Sequence, residues 1–98
     1  MDTYDFAAEI WESASMDAWA FVTVPAAESD DIRMESGPPT GFGSVRVEVT
    51  VGGSTWRTSV FPDSKLGCYV LPMKKSVRRA EALQVGDETQ VSLVLVRD

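Results

Sequence analysis

The chain has 98 residues, 44% of them apolar, with three Trp, four Phe and two Tyr, which suits one domain over residues 1–98 with a real core and leaves no room for a second. Its net charge of −6 opposes unspecific binding to nucleic acid through phosphate neutralisation but leaves room for a local basic face, and a single cysteine, Cys68, excludes an intrachain disulfide framework. Histidine and asparagine are both missing, which removes the usual general base, the commonest metal ligand and the Ser-His-Asp and Cys-His arrangements.

From the N-terminus, Tyr4, Phe6, Ala8 and Ile10 alternate with Asp5 and Glu9 and predict a strand with one buried face. Trp11, beside Glu12 and Ser13 at its end, is expected to be partly exposed, where an aromatic ring can meet a ligand or partner. Trp19, Phe21 and Thr23 alternate with Ala20, Val22 and Val24 in a second strand. Trp19 and Trp56 are both expected in the core, because side chains fill the interior of a small barrel.

A helix follows, with Ser29 as its cap, Asp30 and Asp31 at its positive end and Gly37-Pro38-Pro39 as its stop. The stretch Gly37-Pro38-Pro39-Thr40-Gly41-Phe42-Gly43 lacks the Gly-Lys-Ser/Thr ending of a phosphate loop and reads as a plain connection. Val45, Val47, Val49 and Val51 give the clearest period of two, opposite Arg46, Glu48 and Thr50. Gly52-Gly53 then supplies a tight hairpin, and the chain returns from about Ser54 to Phe61. After the polar turn Asp63–Gly67 comes a short strand, Cys68 to Leu71, in which Cys68 reads as an inert small side chain.

Pro72 suits the first turn of a second helix, with Met73, Val77, Ala80 and Leu83 on one face and Lys74, Lys75, Arg78 and Arg79 on the other. A turn at Gly86-Asp87 leads into the last strand, Thr89 to Val96. The order strand, strand, Val24-Pro25, helix, strand is thus repeated as strand, strand, Leu71-Pro72, helix, strand. The reading is a mainly β chain of six to seven short strands, with a possible ββαβ duplication forming a closed or nearly closed barrel plugged by two short helices.

The runs Gly52-Gly53-Ser54-Thr55-Trp56-Arg57-Thr58-Ser59-Val60-Phe61-Pro62 and Tyr69-Val70-Leu71-Pro72-Met73-Lys74-Lys75-Ser76-Val77-Arg78-Arg79, with Val85-Gly86-Asp87, resemble a bacterial family, DUF1905, a domain of unknown function. Phe6-Ala7-Ala8-Glu9-Ile10-Trp11 and Ala18-Trp19-Ala20-Phe21-Val22 are similar to its opening strands. The resemblance implies a double-split β-barrel, of the class that also holds DNA-binding regulators such as AbrB and the antitoxin MazE. It supplies no activity, substrate or catalytic residue.

Charge is unevenly placed: residues 1–45 sum to −8 and residues 46–98 to +2. In the second helix Lys74 and Arg78, like Lys75 and Arg79, stand four apart, and each like-charge pair costs roughly 0.2–0.5 kcal/mol. An anion is therefore expected near them, either carboxylates of the acidic half, such as Asp30, Asp31 or Glu35, or an external one.

The leading expectation is a noncatalytic binding module for a small anionic ligand or an acidic protein, through Arg57, Lys74, Lys75, Arg78 and Arg79. Its alternative is a DNA-binding regulator of the AbrB-like barrel class, opposed by the acidic whole, and a third reading is an enzyme using Ser, Lys or Asp. No cofactor and no metal site is expected, since one sulfur and scattered carboxylates do not form one. No apolar run reaches the roughly 20 residues that span a bilayer. The acidic start Met1-Asp2-Thr3-Tyr4-Asp5 is unlike a signal peptide, so the expected location is cytoplasmic.

Overall fold

In the computed structural model, which describes residues 3–14, 19–36 and 43–96, the elements run β1 (Thr3–Glu9), β2 (Trp11–Glu12), β3 (Ala20–Thr23), α1 (Ala26–Glu35), β4 (Val45–Val51), β5 (Ser54–Asp63), β6 (Cys68–Pro72), α2 (Lys75–Ala80) and β7 (Glu88–Leu95). The strands pair in the order β1-β7-β4-β5-β6-β3-β2, every pairing antiparallel, in one curled half-barrel sheet. The expected mainly β architecture of six to seven strands and two short helices is observed, with seven strands.

The register at the centre follows from the hairpin. Gly52 takes a positive φ of 58°, which costs glycine nothing, and Val51 pairs with Ser54 across the two-residue turn. Counting back, Val49 meets Trp56, Val47 meets Thr58 and Val45 meets Val60, so the valine face lies inward. On β4's other edge, Val49 pairs with Leu93 and Val47 with Leu95. Val47, Val49, Val60, Val91 and Leu93 are fully buried, and each such aliphatic side chain contributes about 1.5–3 kcal/mol relative to exposure.

Two long segments are each split between partners. β5 pairs with β4 over Ser54–Val60 and then with β6 over Phe61–Asp63. The segment Thr3–Glu12 does the same in the first half, pairing with β7 over Thr3–Glu9 and with β3 over Trp11–Glu12. Its bend is at the buried Ile10, whose N–H donates to the Asp87 carbonyl and whose carbonyl accepts from Gly86 N–H. Exchanging the two halves of the chain maps each split strand onto the other, so the repeat of element order is also a repeat of pairing. Both edges of the half-barrel, β1 and β2, belong to one bent segment.

α1 differs from expectation at its start. Its N-cap is Pro25, and Ser29 lies inside the helix, fully buried. There its hydroxyl donates to the Val24 carbonyl at 2.9 Å and accepts the Tyr69 N–H at 3.0 Å, which fastens α1 to β6. Tertiary pairing of a buried hydroxyl has overridden the capping preference. Asp30 and Asp31 consequently sit past the first turn, which holds Glu28. Arg33 lies 5.5 Å over the Tyr69 ring and donates to the Gly67 carbonyl. The expected Gly37-Pro38-Pro39 stop lies outside the described residues, as does all of the following glycine-rich stretch but Gly43.

Pro72 ends β6 instead of entering α2, whose N-cap is Lys74. Met73 and Val77 are buried and Leu83 packs on the core, but Ala80, expected on the same face, is exposed at the end of this six-residue helix. It closes on Ala82, held at φ 54°, with Leu83 N–H donating to the Arg78 carbonyl at 2.8 Å.

Candidate functional site

The β3–β6 ladder builds a cleft at the start of α2. Phe21 pairs with Pro72, and one step further Met73 N–H donates to the Ala20 carbonyl at 2.8 Å. Trp19, one residue before Ala20, and Lys74, one residue after Met73, are thereby brought to the same end of the sheet. On the other side of β3, Ser13 N–H donates to the Trp19 carbonyl at 2.9 Å, which places β2 alongside. The cleft encloses about 520 Å³ and is lined by Glu12, Trp19, Met73, Lys74, Lys75 and Arg78, with Ala20 and Pro72 in its wall.

Three of the five expected basic residues line this cleft. Arg78 Nε donates to the Met73 carbonyl at 2.9 Å, so the guanidinium is tied at one corner. Lys74 and Lys75 are exposed. Among the described residues no carboxylate lies within 4 Å of any of the three or of Arg79; the two ion pairs found are Arg33 with Asp30 and Arg57 with Glu48. Asp30, one of the carboxylates offered as an internal counter-charge to the basic helix, is engaged within its own helix at 2.8 Å.

Arg57 stands elsewhere. It is directly opposite Glu48 in the β4–β5 register and meets it at 3.4 Å on the outer face of the sheet. Arg79 is exposed and outside the lining of the cleft. Both arginines of α2 fall in its last turn, where the helix dipole favours cations, so only Lys74 and Lys75 stand at its positive end.

Trp19 corrects the expectation of a core residue: it is 53% exposed. The backbone of β3 buries both of its faces, Ala20 and Val22 on one and Phe21 on the other, so alternation there gave no sign of which aromatic would lie outside. Trp56 is half-buried against the core, and Trp11 is half-buried with its Nε1–H donating to Thr23 Oγ1 at 2.9 Å. Glu12 was also missed, since its role depends on the two-residue strand β2, too short to leave a pattern.

The family model of a domain of unknown function, DUF1905, matches residues 6–93. The chain belongs to the DUF1905 family. The match spans β2 to β6, most of β1 and β7, and every residue lining the cleft. No curated protein matches this DUF1905 domain.

Other clusters in the domain offer less. Among the described residues no group of three Cys, Asp or Glu side chains is placed to hold a metal ion. Cys68 is half-buried. No helix of the described residues is long and apolar enough to cross a membrane. The titration of Glu81 is displaced: the Ser54 hydroxyl, donating at 2.6 Å, and then the Gly53 N–H hold it below its ordinary value of 4.5, against a smaller opposing effect of burial. Its place is structural, fastening the end of α2 to the β4–β5 hairpin.

Proposed function

We propose that this DUF1905 domain is a binding module that takes a small anionic ligand in the cleft between β3, β6 and α2, without reacting with it. The observation that supports the reading is the gathering of Lys74, Lys75 and Arg78 around one concavity with no described carboxylate at ion-pair distance. A concavity of about 520 Å³ falls in the size range of small-molecule sites, roughly 300–1,000 Å³. The fork of Arg78 suits a phosphate or carboxylate, and the two lysines add point charge. Arg57, already paired with Glu48, and Arg79, outside the cleft, are given no part in it. The net charge of −6 opposes duplex DNA as the anion.

Calorimetry with inorganic phosphate at low ionic strength tests the reading. Binding is expected in the native chain and lost in a Lys74→Gln/Lys75→Gln variant that keeps its fold by circular dichroism. Equal heats from both proteins, or none from either, contradict it.

A further inference from the structure

The cleft ends an aromatic ladder. Trp11 and Phe21 are stacked with centroids 5.1 Å apart and planes at 29°, and Trp19 continues the series at 6.3 Å and 33° from Phe21. The first two rings are held in place: Trp11 by its hydrogen bond to Thr23 Oγ1, and Phe21 by burial between strands β2 and β6. Trp19 has its carbonyl fixed by Ser13 N–H, yet more than half of the residue remains open to solvent, and it lines the cleft with the cations. An indole in water loses apolar contact it would gain under a second planar group, and stacking on an aromatic platform is sequence- and substituent-tolerant.

We infer that the ligand of this cleft carries a planar aromatic ring beside its anionic group, the ring stacking on Trp19 while Lys74, Lys75 and Arg78 hold the anion. This rests on the anion reading above and deepens it by naming the ligand class, an aryl phosphate or aryl carboxylate. The ring adds a contact that a simple anion lacks, and Glu12, across the cleft on β2, supplies an acceptor for an N–H on the ring.

The test compares phenyl phosphate with ethyl phosphate by calorimetry on the full chain, native and Trp19→Ala. Phenyl phosphate is expected to bind roughly tenfold more tightly than ethyl phosphate to the native chain. In Trp19→Ala, its fold checked by circular dichroism, that preference disappears while ethyl phosphate still binds. Trp19→Phe keeps most of the preference. Equal affinity of the two phosphates for the native chain overturns the ring site and leaves the anion site standing. A preference that survives Trp19→Ala overturns the role of Trp19. Binding of neither phosphate overturns the anion reading itself and this inference with it.

Discussion

The Nε–H of Arg78 donates to the carbonyl of Met73 across 2.9 Å, linking the last turn of α2 to the residue that follows β6. The bond occupies one donor of the guanidinium and leaves the Nη groups to the cleft that Arg78 lines. A lysine at this position keeps the charge but cannot both donate to Met73 and present a fork. Arg78→Lys is therefore expected to lower phosphate affinity about fivefold and stability by about 1 kcal/mol, read by calorimetry and urea denaturation. Native affinity in this variant would show that charge alone suffices.

Glu12 opposes an anion from the far wall of the same cleft. Glu12→Gln removes that repulsion while keeping the shape of the side chain. Phosphate affinity is expected to rise by about two- to fivefold at low salt, since charges separated by solvent interact by at most about 1 kcal/mol. The gain shrinks in 0.5 M sodium chloride, where the screening length falls to roughly 4 Å. A fall in affinity would place the bound anion away from Glu12.

Ser29 and Tyr69 join the two halves of the chain through a buried hydroxyl. Ser29→Ala leaves the Tyr69 N–H and the Val24 carbonyl without that partner in a site closed to water. An expected loss of about 2 kcal/mol follows from the usual cost of an unsatisfied buried group, measurable as a lower urea midpoint with an unchanged slope.

Glu81 gives the stability of the domain an acid limb. Its carboxyl titrates below 4.5 because the charged form accepts from Ser54 and Gly53, so the folded state binds its proton less readily than the unfolded chain does. The resulting stabilisation is full above the unfolded value and is lost as pH falls through the lower, folded value. Glu81→Gln is expected to flatten the pH dependence of the thermal midpoint below 4.5 and leave the shape of the curve at neutral pH unchanged. Gly52→Ala should disturb the same clasp, because a Cβ there falls on the Glu81 carboxylate and φ is 58°.

Much of this fold was written in local pattern. The alternation of Val45, Val47, Val49 and Val51 with a two-glycine turn fixes both a hairpin and its register, and that register by itself sets Glu48 opposite Arg57. The repeated strand-strand-helix-strand order also carried through to the pairing. The cleft was less legible because it depends on β3 meeting β6, a non-local contact that brings Trp19 to Lys74. Ser29 misled for a related reason: a serine before two aspartates looks like a cap until Tyr69 arrives to claim its hydroxyl.

The most direct measurement is a ¹⁵N chemical-shift titration of the full chain with inorganic phosphate at low ionic strength. Saturable shifts are expected at the amides of Met73 to Arg78 and at the Trp19 indole, with the β4–β5 face around Arg57 unmoved. Shifts centred on Arg57, or an unchanged spectrum at saturating phosphate, would contradict an anion site in the cleft.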